Sequence, residues 1–561
     1  MNTQEILKNY FQKNIIELLG LDSEAYLCEY DKYQVKIIIP KEFPKLIPEF
    51  FIENYSNIDE YYTHISSNGK ICYIAEDNLV WDIRNSEGLL KDCCEKVLDV
   101  IDSWTTPQMR KELREEFLSY WMELCTRKES SYLRAKGYIE EFTKFGKLNL
   151  AIFKNSLYIF NEGTELRDKV IPSFDEGIET YLLPIRKNNQ IIPPNPKKEL
   201  NSLTFKKMIT GNLSSGVRKA FKKWSRKKRK KFILIIALPV HEGNTIFIGA
   251  KFEYSKECFP LIGKNKDICK VTPLLIEREY ISYQIDRTSQ DFSLINKKVA
   301  VIGLGSVGSF VASNLSKLGV SKLFMIDPDY LSIDNISRHY LGMDSLKQRI
   351  QKVVAMEDRL LLENPMLDIE SEGIKFQLLI SENSTVFDEY DVIVSCVGDT
   401  MTNFEINHFF RKKAKPVIYS WLDPYGIGSH ILVVQPQFEG CYMCLNYEQG
   451  RLVSNRLSFA EPNQKFEKRL ASCNSSFIPY NVVGPSQLAS KTIEHFLLFL
   501  NEKYQDGNVF SSNFGLSMQF DKQGFRYSNR YHFCKANPQN LESTLQKNHF
   551  CPECNGEYNV C

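Results

Sequence analysis

The segment VAVIGLGSVGSF, residues 299–310, restricts the fold more than any other part of this chain. An apolar run passes directly into Gly303, Gly305 and Gly308, and an amphipathic stretch follows. Glycines at that spacing permit a tight turn and let backbone N–H groups approach a phosphate at the start of a helix. A second apolar run, LFMID, delivers Asp327 nineteen residues after Gly308, where a carboxylate can hold ribose hydroxyls. Strand, glycine turn, helix, strand and acid together predict a nucleotide-binding βαβ unit.

A dinucleotide is the default ligand of such a unit, but the following residues argue for a triphosphate. Asp329, Asn335 and Arg338 come soon after the second strand, Lys352 lies on the next helix, and the strand DVIVSCVGD delivers Asp399 at its C-terminal end. Cations neutralise phosphate charge, and a carboxylate such as Asp399 can hold Mg²⁺. Capping the helix that follows is the other role open to Asp399.

With 561 residues the chain exceeds one hydrophobic core. Its 43% hydrophobic and 25% charged residues are those of a folded protein, and a net charge of +2 sets up no global field for nucleic acid or membrane. The longest apolar run, residues 232–240, is about half a bilayer span. The first fourteen residues have no apolar core of the secretory kind. Fifteen cysteines in a large chain of this type point to reduced thiols, metal ligands or catalytic groups, and so to a cytoplasmic protein.

Three domains are expected. Residues 1–140 read as an α+β unit, with a helix over 3–20, antiparallel strands in AYLCEY and QVKIIIP, and helices over 86–103 and 107–136. Residues 141–275 read as a mixed α/β middle domain, with strands in LNLAIFKNSLYIF, ETYLLPI, KKFILIIALPV and NTIFIGAKFEY. Its basic run, residues 218–231, offers Trp224 as a group that could stack on a base, but a solvated helix face or a protein-docking surface is the favoured reading. Residues 276–561 form the α/β, Rossmann-like nucleotide domain.

That last domain also carries two CxxC pairs, Cys441 with Cys444 and Cys551 with Cys554. One turn can offer two thiolates to one ion, so two such pairs suit a tetrahedral, structural Zn²⁺. Cys473 lies near Lys468 and Arg469, whose charge favours a thiolate. In the first domain, Cys72 follows an Asn68-Gly69 turn, with Trp81 nine residues on.

GLGSVGS, DPDYLSIDNISRH, QKVVAMEDRLLLENP and CVGDT resemble the adenylation domains of ubiquitin-activating enzymes. They are equally similar to the bacterial ThiF and MoeB-like enzymes that activate sulfur carriers. The resemblance implies that Gly303, Gly305, Gly308 and Asp327 hold ATP, that Asn335, Arg338 and Lys352 contact its phosphates, and that Asp399 holds Mg²⁺. It also implies an upstream arginine, Arg278 or Arg287, and a homodimer through this domain. Cys473, before Val483-Gly484-Pro485, stands where relatives carry a nucleophilic cysteine, although the intervening segment is longer here.

Pro44, Pro48, His64, Gly69, Ile71, Cys72 and Trp81 fall in the order found in ubiquitin-conjugating enzymes, which makes the first domain similar to them. Ile65 replaces the proline expected after His64, and the asparagine that would support an oxyanion is displaced, with Asn68 as a possible substitute. With both halves on one chain, the sequence resembles the fused activating and conjugating enzymes of bacterial CBASS antiphage operons. That resemblance implies a ligase that adenylates the C-terminal carboxylate of a cGAS-like nucleotidyltransferase. The acyl group would pass to Cys473, then Cys72, then a target amine, in most cases lysine. Two alternatives stand beside it: a sulfur-carrier-activating adenylyltransferase, and a catalytically degenerate scaffold. Cys72 speaks against the first, and Arg338, Lys352 and Asp399 against the second.

Overall fold

Every second residue of Tyr33–Pro40 is buried, with Val35 and Ile37 fully so, the period of a strand that lays one face on a core. In the computed structural model this strand pairs antiparallel with Ser23–Tyr30 and Glu49–Ile52. The structure describes residues 3–18, 23–58, 60–74, 80–126, 132–153, 156–162, 178–240, 244–261, 269–279, 281–286, 294, 296–346, 349–365, 367–453, 456–469 and 476–556. They fall into two units, Met1–Tyr280 and Ile281–Cys561.

The first unit begins with a four-stranded antiparallel sheet covered by the helix Ser86–Ser103. Leu89, Leu90, Cys93, Val97 and Ile101 make the buried stripe of that helix, and each aliphatic side chain so buried contributes about 2 kcal/mol. Two helix expectations need correction. The N-terminal helix stops at Tyr10, and Gln12–Leu18 is an edge strand paired with Ser23–Tyr30. Ile15 and Ile16 are β-branched, and an unpaired strand edge beside them outweighs the helical spacing. The long helix over 107–136 is instead Gln108–Glu115, then Phe117–Thr126, then a strand, Leu133–Tyr138. The break at Glu116 (φ −90°, ψ 13°) lets Phe117, Trp121, Leu124 and Cys125 turn onto a second core.

That core belongs to a closed seven-stranded barrel, which replaces the expected mixed α/β middle domain. Around it run Thr245–Cys258, Cys269–Arg278, Leu133–Tyr138, Ser156–Asn161, Gly146–Phe153, Glu179–Pro184 and Arg229–Pro239, and the last pairs with the first. Two helices, Ser202–Ile209 and Ser215–Trp224, pack against it through residues such as Phe205, Met208, Val217 and Trp224. Trp224 is buried against Tyr181 and Phe232, so its ring is no platform for a base. Arg218, Lys219, Lys222 and Lys223 face solvent, as a solvated helix face requires.

Polar contacts tie the N-terminal layer to the barrel domain, among them the Tyr61 hydroxyl donating to the Pro193 carbonyl. The Trp121 indole donates to the Leu274 carbonyl at 3.0 Å. Lys197, in the proline-rich loop, places its ammonium 3.7 Å from the Tyr55 ring centroid and donates to the carbonyls of Tyr55, Ile58 and Glu60 at 3.0, 2.5 and 2.7 Å.

The second unit is built on an eight-stranded sheet in the order Asp368–Glu372, Lys322–Ile326, Lys298–Ile302, Val392–Ser395, Val417–Leu422, Gly428–Val434, Val509–Phe514 and Glu542–Thr544. The first five strands are parallel and the rest antiparallel. Chain order reverses between Lys298–Ile302 and Val392–Ser395, and ligands of open α/β sheets bind in the crevice beyond such a switch point. Among the described residues no helix is long and apolar enough to cross a membrane.

Replacing Lys197 by methionine keeps the stem but removes three hydrogen bonds to the carbonyls of Tyr55, Ile58 and Glu60. At about 2 kcal/mol for hydrogen bonds from a charged group, amide exchange across residues 53–62 is expected to quicken by about tenfold or more. Mass-spectrometric hydrogen exchange checks this; unchanged rates would show that the lysine does not hold the loop.

Candidate active site

At the switch point the backbone itself sets the geometry. Gly303 has φ 89°, and a Cβ added at Gly308 would lie 1.8 Å from the Gly303 carbonyl oxygen, so the helix Ser306–Leu318 meets the strand without any side chain between them. Asp327 follows the neighbouring strand and is buried. Its Oδ2 accepts the Leu304 N–H at 2.6 Å and its Oδ1 the Asp329 N–H at 2.9 Å. Burial pushes its carboxyl above the usual range, against the opposing effects of Lys352 and the two backbone donors. The Lys352 ammonium lies 2.7 Å from Asp329 and 3.6 Å from Asp327.

Gly303, Gly305, Asp327, Lys352 and Asp399 line one cavity of about 870 Å³. Of the nucleotide residues named from sequence, these five and Asp329 come together. Gly308 sits beneath the turn. Asn335 accepts the Ser332 hydroxyl at 3.1 Å, and the Arg338 guanidinium lies 5.2 Å from the Tyr480 ring. Tyr480 in turn shares a 2.9 Å hydrogen bond with Ser306, at the first turn of the glycine-loop helix. Both line a second cavity of about 460 Å³, which shares Gly305, Cys396, Val397 and Gly398 with the first.

Asp399 is the N-cap of the helix Thr400–Lys412. Its Oδ2 accepts the Thr402 N–H at 2.8 Å and the Thr402 hydroxyl at 2.7 Å, bonds that hold its carboxyl below the ordinary range. The capping role weighed from sequence is therefore present, at a residue that also lines the cavity.

Two supporting residues escape a reading of the sequence. His339 is buried, and it donates from Nε2 to the Leu304 carbonyl (2.8 Å) while Nδ1 accepts the Leu341 N–H (3.1 Å). Burial lowers its pKa to about 4, so it stays neutral and fixed in one tautomer. Tyr480 is the other. Arg278 ends a barrel strand and donates to the Thr245 carbonyl at 2.9 Å. Arg287 and Cys473 lie outside the described residues.

The four paired cysteines meet. The Sγ atoms of Cys441, Cys444, Cys551 and Cys554 lie within 4.8 Å of one another, with separations of 3.9, 3.7 and 3.6 Å along three edges. Four sulfurs 2.3 Å from a tetrahedral ion would stand about 3.8 Å apart. The donor set therefore fits such a metal, and the Asn548 N–H donates to the Cys444 sulfur at 3.4 Å as an outer support.

In the first unit Cys72 is exposed at the edge of a groove of about 400 Å³ shared with His64, Ser66, Tyr73, Glu116 and Tyr120. Its N–H donates to the His64 carbonyl at 2.7 Å. The surrounding segments are pinned by side chains that donate to proline carbonyls: Trp81 to Pro44 at 2.7 Å and Tyr73 to Pro48 at 2.6 Å. Gly69 (φ 88°) turns the chain where a Cβ would lie 2.5 Å from the Ile52 carbonyl. The Asn68 side-chain oxygen accepts the Lys70 N–H at 3.1 Å and the Ser66 hydroxyl, which holds the side chain to its own turn, and Asn68 is not among the residues that line the groove.

Residues 278–520 match the ThiF family, and residues 25–129 match prokaryotic E2 family B. Both matches lie on one chain, an E2-like region followed by a ThiF-like adenylation region. Over 492 residues it is 22% identical to the ATP-dependent ubiquitin transferase-like protein Cap2 of Pseudomonas aeruginosa, covering 83% of this chain and 82% of that protein. Over 215 residues it is 27% identical to ubiquitin-like modifier-activating enzyme 5 of Caenorhabditis briggsae, covering 36% of this chain and 47% of that one. Among solved structures it is similar to E. coli MccB with ATP, at 14% identity and a TM-score of 0.32, over 48% of this chain and 69% of MccB. The cavity beside Gly303 lies in the ThiF match and the Cys72 groove in the E2 match.

Alanine at Gly308 would force the ThiF helix off its strand. Gly308→Ala is expected to abolish nucleotide binding, read by fluorescence of a labelled ATP analogue; unchanged binding would show that the helix and strand can part there without cost to the site.

Proposed function

We propose that this chain uses ATP to activate the C-terminal carboxylate of a protein and joins it to an amine on another. The observation that supports it best is the pairing, on one chain, of the Gly303–Lys352–Asp399 cavity with the exposed thiol groove at Cys72. In the first step a carboxylate oxygen attacks the α-phosphorus of ATP and pyrophosphate leaves. The backbone N–H groups of the glycine turn and the Lys352 ammonium hold the phosphates, and Arg338, braced by Tyr480, adds positive charge beside the helix N-terminus. Asn335 contributes a phosphate contact, and either Arg278 or Arg287 completes the cationic set. Mg²⁺, held through Asp399, would neutralise charge on the phosphates. The thiolate of Cys473 then displaces AMP to form a thioester, Cys72 accepts the acyl group by thioester exchange, and an amine, normally of lysine, takes it as an amide.

Zn²⁺ in the four-cysteine cluster is structural and ties residues 551–554 to the sheet. The carboxylate donor is a cGAS-like nucleotidyltransferase and the setting antiphage defence in the cytoplasm, with the ThiF domain forming a homodimer. The name of the Cap2 relative, an ATP-dependent ubiquitin transferase-like protein, supports transfer over sulfur-carrier activation. So does the exposed Cys72, which sulfur chemistry would not use.

ATP–pyrophosphate exchange driven by the C-terminal peptide of such a nucleotidyltransferase tests the first step. Exchange is expected in the wild type and in Cys72→Ala. Lys352→Ala and Asp399→Ala should lose about 10²-fold or more. No exchange with that peptide in the wild type, or equal exchange in Lys352→Ala, would overturn the assignment. One zinc per chain is expected by elemental analysis, and its removal by a chelator should lower Tm and speed amide exchange across residues 542–556.

A further inference from the structure

Asn68 is not among the residues that line the Cys72 groove, so an oxyanion donor there has to come from another side chain. His64 is placed for it. Its carbonyl holds the Cys72 N–H at 2.7 Å, Ile65 and Ile71 bridge beside them, and both side chains line one groove. The backbone at His64 is left-handed (φ 56°), a conformation few residues other than glycine, asparagine, aspartate and histidine adopt readily. The Tyr120 hydroxyl fixes it by accepting the His64 N–H at 2.9 Å.

Two carboxylates aim the ring, Glu112 on the helix Gln108–Glu115 and Glu116 at the break that follows it. Nδ1 lies 3.1 Å from Glu116 Oε1, within hydrogen-bond reach, whereas Nε2 stands 3.7 Å from Glu112 Oε2, beyond it. Glu112 also accepts the Thr63 hydroxyl at 3.2 Å, and Glu116 Oε2 accepts the Tyr120 hydroxyl at 3.2 Å. The other charged groups on the groove are engaged: Lys70 with Glu49 at 2.6 Å, and Glu123 with the Ser67 N–H. The Glu116 hydrogen bond raises the His64 pKa above its ordinary value, against partial burial, with Glu112 adding to the effect. When the ring loses its proton, Glu116 keeps hydrogen on Nδ1 and Nε2 becomes an acceptor.

We propose that His64 is a catalytic residue of the E2 domain, and that its Nε2–H donates to the carbonyl oxygen of an acyl group carried on Cys72. The proposal rests on Cys72 being an acyl carrier. A neutral amine attacks the thioester carbon, and the developing oxyanion is stabilised by the imidazolium. The oxyanion then collapses as the C–S bond breaks, and the departing Cys72 thiolate takes the proton released by the amine nitrogen. The products are an amide and a free thiol, and His64 keeps its proton throughout.

The sign of the pH effect separates this role from general-base catalysis. A donor imidazolium is fully present below the raised pKa and is lost as pH rises through it, whereas a base gains activity over the same interval. The test uses the full chain charged with ATP, Mg²⁺ and a cGAS-like nucleotidyltransferase, and follows the reducible Cys72 thioester in single-turnover discharge onto free lysine. His64→Ala is expected to form the thioester yet discharge it about 10²-fold more slowly. His64→Asn, which tolerates the left-handed backbone and keeps a donor, should recover most of the rate. The ratio of wild-type to His64→Asn rates, in which ionisation of the lysine cancels, should fall with rising pH, and Glu116→Gln should move that fall to lower pH. Discharge at the wild-type rate in His64→Ala, or a ratio that rises with pH, overturns the role of His64 while leaving the thioester assignment standing. Absence of any Cys72 thioester in the wild type overturns both.

Discussion

The contact of Gly308 with the Gly303 carbonyl governs the nucleotide domain. Nothing larger than hydrogen fits there, so the helix Ser306–Leu318 lies against the sheet with its first N–H groups at the mouth of the switch-point crevice. Other features follow from keeping that turn in place. Asp327 anchors it from below through the Leu304 N–H, and His339 anchors the same residue through its carbonyl. A group buried so deeply must be neutral or paired, and the protein uses both solutions: His339 is held uncharged, while Asp327 faces Lys352. The Lys352 ammonium, which would hold phosphate in the proposed reaction, thus also offsets the buried carboxylate.

The same economy of backbone and side chain recurs at the E2 groove. In the proposed relay the exposed loop position of Cys72 lets two partners reach the thiol in turn, access that a strand interior would deny. Its neighbours are immobilised by bonds to main chain: Trp81 and Tyr73 on proline carbonyls, Tyr120 on the His64 amide. In the proposed reaction only the Cys72 and His64 side chains need chemistry of their own. The barrel supplies the floor on which this layer rests, with Trp121 and Lys197 as polar pins.

Much of this was legible in the residues because it is local. The glycine turn, Asp327 and Lys352 act within short chain distances, and their spacing alone brings them to one cavity. The cysteine pairs were legible for another reason: each pair is a turn, although the halves lie 110 residues apart. What stayed hidden depends on distant partners. The barrel closes through a parallel pairing of Leu133–Tyr138 with Cys269–Arg278, which no local period announces. His339 and Tyr480 support the turn by bonds to a loop carbonyl and a serine hydroxyl, and nothing in their flanking residues marks them out. Residues 3–18 carry a helical apolar spacing, yet an open strand edge claims their second half.

The central claim is a relay that ends on Cys72, and a trap tests it most directly. Cys72→Lys, expressed in the native host, would convert any acyl group delivered there into a stable amide, which mass spectrometry of residue 72 detects. The account predicts an adduct whose sequence is the C-terminal peptide of the donor protein, and its loss when Cys473→Ala or Asp399→Ala is added. An unmodified lysine in protein that still binds ATP, or an adduct that persists in both double variants, would contradict it.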